Sequence, residues 1–410
     1  MTSSSATEAA LTGGRAGTAV CLLTAVAVIS VTFSVAASSI AMGAAFLVMA
    51  AIIVRKGLAA LPRTGLEAAF LFYIAAEIVS SAFSVDPPDS FYNMKRVLLI
   101  GVVYLGASAF RSRGRMLAIL GLLAAAGAVT VIVETATLRL VDGAIGRPAL
   151  FQIAMTEGGV RMLIILAIIP FVLSAAVPRG WKFALAAALI PLFAGLVISQ
   201  TRSAWAAFVA GVLIIGFLQD RRALAGLAVL GLLFALFAPD DLRDRAVSVI
   251  ETSDTAGFVA DSITTTAESN VSRLQMIATG WRMFLDRPVF GWGDIGLRNY
   301  YTTYITPMTP GEGGHLHNNF MEALVTLGLP GFCAVVWLFF KMFVVIRRAG
   351  SGAAKGSFRA ALSTGLMAAY TGFHVLGLFE YNFGDHEVMV LVWFLTGLAA
   401  AAPSAEGTVS

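Results

Sequence analysis

Apolar runs long enough to cross a bilayer as a helix, roughly 17–25 residues each, recur along most of this chain. In hydrocarbon every backbone N–H and C=O must be bonded within the protein, so only helices and closed barrels can span it. The runs lack the strand-like alternation of a barrel, which leaves helices. Only 13% of the 410 residues are charged and 58% are hydrophobic, against about 25% charged in soluble domains. The expected fold class is therefore an all-α polytopic membrane protein. The formal charge of +4 is modest, and no nucleic-acid partner is expected. Cys21 and Cys333 both fall inside apolar runs, so no disulfide framework or cysteine metal site is available.

The pattern predicts about 12 transmembrane helices, near 17–37, 39–54, 66–83, 96–110, 115–134, 160–178, 181–198, 203–218, 223–238, 319–346, 357–378 and 386–402. The first run is longer than the 7–15-residue core of a signal peptide and is read as a helix. With the N-terminus in the cytoplasm, the inner segments hold fifteen basic residues: Arg15, Arg55, Lys56, Arg63, Arg111, Arg113, Arg115, Arg179, Lys182, Arg221, Arg222, Arg347, Arg348, Lys355 and Arg359. The short outer loops and their helix edges hold six: Lys95, Arg96, Arg139, Arg147, Arg161 and Arg202. That asymmetry fixes the expected direction. The chain then divides into helices 1–7 over 1–198, helices 8–9 over 199–238, one large outer loop over 239–318, helices 10–12 over 319–402, and a cytoplasmic tail over 403–410.

The outer loop is too long to be a plain connection. It starts polar and is Ser/Thr-rich in its middle. Ser272-Arg273-Leu274-Gln275 fits a capping box that would start a helix, and Asp286-Arg287-Pro288 would end it. Gly-rich GWGDIGL follows, then Tyr300, Tyr301 and Tyr304, which suit a membrane–water boundary.

The polar residues of interest collect at the expected outer ends of helices. Two of the four histidines, His315 and His317, stand two apart in HLHNNFMEALVTLGLPG. Arg202 lies in SQTRSAW, Arg273 in the loop, and Glu380, Asp385, His386 and Glu387 in FEYNFGDHE. A histidine can take a proton near neutral pH, and arginine offers a planar fork of donors that matches phosphate oxygens. One base with two arginines suits a hydroxyl attacking while a lipid phosphate leaves. Other readings stand beside this one. Arg202 at a helix end also fits an interface anchor. His315 and His317 with Glu312 or Asp385 also fit a metal site, although two residues apart on a helix point different ways. Asp86-Pro-Pro-Asp89 and Asp240-Asp241 fit a cation site or, more simply, solvated loop acids. Glu77 and His374, inside helices three and eleven, fit a transporter relay.

The stretch His317-Asn318, nine residues, then Gly328-Leu-Pro-Gly331 resembles the signature of the O-antigen ligase and O-antigen polymerase superfamily. The TRSAW segment with Arg202, SRLQM…GW…DRPVFGWG with Arg273, and the late FEYNFGDHE follow in the family's order. The resemblance implies a GT-C-like membrane glycosyltransferase of the bacterial inner membrane, with its active site on the periplasmic face and neither metal nor cofactor. It implies a polyprenyl (undecaprenyl) pyrophosphate-linked glycan as donor and, for the ligases, a lipid A–core sugar hydroxyl as acceptor. His317 is then the base, and Arg202 and Arg273 bind the pyrophosphate. His315, Asn318, Glu380 and Asp385 are weaker candidates. A polymerase making O-antigen or exopolysaccharide from the same donor is the alternative, and a transporter the distant one. The Gly328–Gly331 pair, with Pro330 between, reads as a kink or close-packing site rather than a catalytic one.

Overall fold

The computed structural model describes residues 14–141, 150–238, 243, 265–297, 300, 303–304 and 314–402. Among these, all regular structure is helical. The helices are α1 (Gly14–Ser30), α2 (Val35–Lys56), α3 (Glu67–Ala82), α4 (Pro87–Asn93), α5 (Gly101–Ala109), α6 (Arg113–Val141), α7 (Ala154–Leu173), α8 (Arg179–Ile198), α9 (Arg202–Leu218), α10 (Arg222–Phe237), α11 (Thr265–Asp286), α12 (Asn319–Ala349), α13 (Phe358–Leu376) and α14 (His386–Ala401). Five of them, α2, α6, α7, α8 and α12, are long and apolar enough to cross a membrane, and α1, α9, α10 and α14 are shorter apolar helices. The protein is a multi-pass membrane protein.

Two expectations need correction. The helix expected from 96 begins as α4, nine residues earlier, and tightens into a 3-10 turn at Met94–Ile100 before α5. Asp86 is the reason: its carboxylate accepts the Asp89 N–H at 3.2 Å, and Pro87 occupies the first helical position. Asp86 and Asp89 are thus a cap and a first-turn residue, not loop acids. Asp240 and Asp241 lie outside the described residues. The second correction concerns Ser272. Helix α11 already runs from Thr265, so Ser272 sits inside it and starts nothing, whereas the stop at Asp286 is where the sequence puts it.

Helix α7 is buried over most of its length. α13 packs against α7 and α9, α14 against α5, α8 against α6 and α7, and α3 against α12. Apolar burial does not drive helices together in lipid, so close backbone approach and polar contacts must. At Gly365 a Cβ would lie 2.5 Å from Ala167 O on α7, so only glycine permits that crossing. The Tyr370 hydroxyl donates to Phe339 O at 2.6 Å and joins α13 to α12. A buried ionic group joins α6, α7 and α8. Arg161 donates to Glu134 and, at 3.0 Å, to Gly195 O. Glu157 Oε2 lies 3.0 Å from the same guanidinium without hydrogen-bond geometry.

Helix α12 is two helices meeting at a break. Gly328 has φ 66° and ψ −177°, a conformation open to glycine alone. Pro330 has no N–H, which orphans the Thr326 carbonyl four residues back. That carbonyl accepts instead from Ser80 Oγ at 2.7 Å and Gly293 N at 2.9 Å. Leu329 N donates to Pro288 O at 2.8 Å, and the Val325 carbonyl it would have used takes Trp292 N at 2.9 Å. The DRPVFGWG segment therefore pairs, bond for bond, with the backbone that GLPG frees. A Cβ at Gly291 would sit 2.3 Å from Thr326 O, and one at Gly328 2.3 Å from Val289 O.

Candidate functional site

The HLH segment leads into α12 with Asn318 as cap. The Asn318 Oδ1 accepts Phe320 N and Met321 N, both at 2.9 Å, and its Nδ2 donates to Leu378 O at 2.9 Å. Asn319 continues the tie: its N donates to Gly377 O at 2.8 Å, its Nδ2 to Asn382 Oδ1 at 2.5 Å, and its Oδ1 accepts Phe383 N at 2.9 Å. From one turn further along, buried Glu322 reaches back and accepts Leu316 N at 2.7 Å. The result holds His317 in a left-handed conformation, φ 47°, that few non-glycine residues adopt. Such strain persists where surrounding contacts enforce it and is common at functional sites.

His317 Nδ1 lies 2.8 Å from Glu380 Oε2. An ionised carboxylate only accepts, so Nδ1 carries the proton and the Nε2 lone pair remains available as a base. The His315 ring packs on His317 at 4.2 Å between centroids and on Tyr381 at 5.8 Å. Its Nδ1 is buried without a hydrogen-bond partner. Burial first, and His317 second, push the His315 pKa down to about 4, so that ring is neutral at neutral pH. Asp385 is the residue before α14; Thr156 donates to its carboxylate at 3.4 Å. Burial, then Glu387 and Glu380, raise its pKa to about 7.

Next to this loop lies a joint the sequence reading counted only as an outer charge. Arg96 donates to Asp294 at 3.0 Å and to the Tyr381 hydroxyl at 3.2 Å. Asn93 Nδ2 donates to Asp294 O at 3.0 Å. Burial raises the Asp294 pKa while Arg96 opposes it. The joint ties the α4–α5 segment, the GWGD turn and FEYNF together.

The arginines are placed less completely. Arg202 is the first residue of α9. The preceding Thr201 turns its hydroxyl to Ala154 O, 3.1 Å away at the start of α7. Since Thr156, two residues on, meets Asp385, the Arg202 turn and the His317–Glu380 pair lie around the same end of α7. Arg273 is on α11, but its side chain is outside the described residues. Seven residues later, Gly280 of α11 faces Leu316 and Met321, where a Cβ would meet them at 2.7–2.8 Å; α11 therefore packs on the histidine segment. Tyr300 and Tyr304 pack on Trp292 at 5.7 and 5.8 Å between ring centroids; Tyr301 and Glu312 lie outside the described residues. Among the described residues no three His, Cys, Asp or Glu converge as metal ligands. His374 stacks among Phe320, Phe339, Tyr370 and Phe373, and it shares no hydrogen bond with Glu77 among the described residues.

Asn319, Glu322, Arg96, Asp294 and Tyr381 are not among the site residues expected from the sequence. Asn319 and Glu322 sit beside the signature, and that adjacency was the available signal. Arg96 and Asp294 are about two hundred residues apart and had none.

Residues 186–336 match the family model for O-antigen ligases. The matched segment, a little over a third of the chain, contains Arg202, Arg273, His315, His317 and the Gly328 break, and ends before Glu380. A search of curated proteins returned no match.

Proposed function

We propose that this protein transfers a glycan from a polyprenyl pyrophosphate to a sugar hydroxyl of the lipid A–core, at the periplasmic face of the bacterial inner membrane. The observation that carries the reading is the His317–Glu380 pair at 2.8 Å, whose histidine lies inside the segment similar to O-antigen ligases. The acceptor hydroxyl gives its proton to His317 Nε2 as its oxygen bonds to the anomeric carbon. The bond from that carbon to the pyrophosphate oxygen breaks, and the polyprenyl pyrophosphate leaves. Glu380 orients the ring and stabilises the imidazolium. Arg202, at the positive end of α9, and Arg273 bind the phosphates; their contribution grows as charge develops on the leaving group. Asn318 holds the segment in register.

The test is transfer by purified protein from a polyprenyl pyrophosphate glycan to lipid A–core. His317→Ala is expected to lose about 10²–10⁴-fold in turnover, and Arg202→Lys and Arg273→Lys to lose much of it because the fork is gone. Unchanged transfer by well-folded His317→Ala would remove the base. Gene deletion separates this reading from polymerisation, which uses the same donor. Loss of a ligase leaves long polymer on the lipid carrier and bare core; loss of a polymerase leaves core bearing a single repeat.

A further inference from the structure

The far end of α12 carries a second feature, unrelated to the sugar chemistry. Phe340, Phe343 and Arg347 follow one another at spacings of three and four, so they share one face of the helix. That face is one wall of an open groove of about 840 Å³, bounded opposite by the end of α9 at Leu218 and by the turn to α13. Phe340 and Leu218 are 58% and 57% exposed, and Phe343 between them is partly buried against the core, so the apolar wall is open at its two edges. At its mouth stand Arg347, Arg348 and Lys355, all exposed.

Among the described residues, the side chains of these three cations make no hydrogen bond or ion pair. The carbonyls that end α12 are satisfied from α13: Arg359 Nε donates to Ala349 O at 3.1 Å and Ser363 Oγ to Ile346 O at 2.9 Å. No Asp or Glu lines the groove among the described residues. Asp220, one residue past the end of the α9 wall, is turned toward α10, where it accepts Arg222 N at 2.9 Å. Basic residues at an inner helix end need no ligand to account for them. A concave apolar track that ends in three unmatched cations asks for more: a ligand with a long apolar part and a negative head.

We infer that this groove binds an anionic glycerophospholipid, its phosphate against Arg347, Arg348 and Lys355 and an acyl chain along Phe340 and Phe343. Basic pockets between helices at a cytoplasmic surface have the matching chemistry, each cation adding to the attraction. A soluble anion would leave the apolar wall unused, and a zwitterionic lipid would meet three cations with no carboxylate for its ammonium.

The test is native mass spectrometry of the full chain in detergent, titrated with phosphatidylglycerol or phosphatidylcholine of equal chain length. The expected result is retention of phosphatidylglycerol at concentrations where phosphatidylcholine is lost. The variant Arg347→Gln/Arg348→Gln/Lys355→Gln should lose that preference by roughly tenfold or more, with an unchanged melting temperature in phosphatidylcholine. Arg347→Lys/Arg348→Lys, which keeps the charge, should retain it. Equal binding of the two lipids, or an undiminished preference in the Gln variant, overturns the inference. Full displacement of phosphatidylglycerol by millimolar inorganic phosphate also overturns it, since the site would then recognise a free anion.

Discussion

His317 is fixed by three separate devices: a cap at Asn318, a carboxylate from Glu322 on the preceding backbone, and Glu380 on the ring. These make distinct predictions. Glu380→Gln keeps an acceptor for Nδ1–H but removes the charge that supports the imidazolium. The expected outcome is a fall in kcat of one to two orders of magnitude with KM little changed, and partial recovery in Glu380→Asp. A large change in KM instead would make Glu380 a substrate ligand. His315 behaves differently, because its pKa is pushed down to about 4 by burial beside His317. A base with a depressed folded pKa binds fewer protons folded than unfolded. Its contribution to stability is thus present above the ordinary value near 6.5 and is lost as pH falls toward 4. His315→Gln should flatten the loss of thermal stability between about pH 6.5 and 4, measured by melting temperature in detergent. A slope identical to the parent's would take His315 out of that window.

At the scale of elements, the pairing of DRPVFGWG with the break in α12 explains why two motifs forty residues apart belong together. The break frees carbonyls, and the GWG turn supplies the N–H groups that use them. Gly328→Ala places a Cβ against Val289 O in a conformation that costs an alanine about 1–3 kcal/mol before any clash. The variant is expected to melt several degrees lower and to lose glycan transfer. Gly296→Ala, whose Cβ would meet nothing within 4 Å, should be milder. Equal effects of the two would deny Gly328 its special place. The same region shows what was legible beforehand. Apolar run lengths set the helices, and Gly-x-Pro-Gly announced a kink, because both are local consequences of backbone chemistry. Ser272–Gln275 misled because a capping box is also an ordinary pair of polar residues inside a longer helix, and TTAES upstream continues that helix. The Arg96–Asp294 joint was invisible, since a buried ion pair between distant segments leaves no spacing to read. Glu380 was named only as a weak candidate, for its place in a polar loop; its partner became identifiable when α12 and the loop before α14 came together.

For the whole molecule, the two ends of the bundle differ in chemistry, and that difference carries the assignment of sides. One end holds His317, Glu380, Asp294 and the cap formed by α11. The other holds Arg347, Arg348, Lys355 and Arg359, and the same asymmetry runs through the loops at Arg55–Arg63, Arg111–Arg115 and Arg221–Arg222. Basic loops resist translocation, so the basic end should face the cytoplasm, and the histidine end should face the compartment where a lipid-linked glycan would be presented. A chain with its native cysteines removed, Cys21→Ala and Cys333→Ala, permits a direct reading. Gly314→Cys, beside the histidine segment, is expected to react in intact spheroplasts with a thiol reagent that does not cross membranes. Gly352→Cys, in the turn between α12 and α13 where φ is 71°, should react only after the membrane is opened; Ser351→Cys, free of that backbone demand, is its companion. Labelling in the reverse pattern would put the His317–Glu380 pair in the cytoplasm and end the proposal of a periplasmic transferase, whatever the residues at the site do.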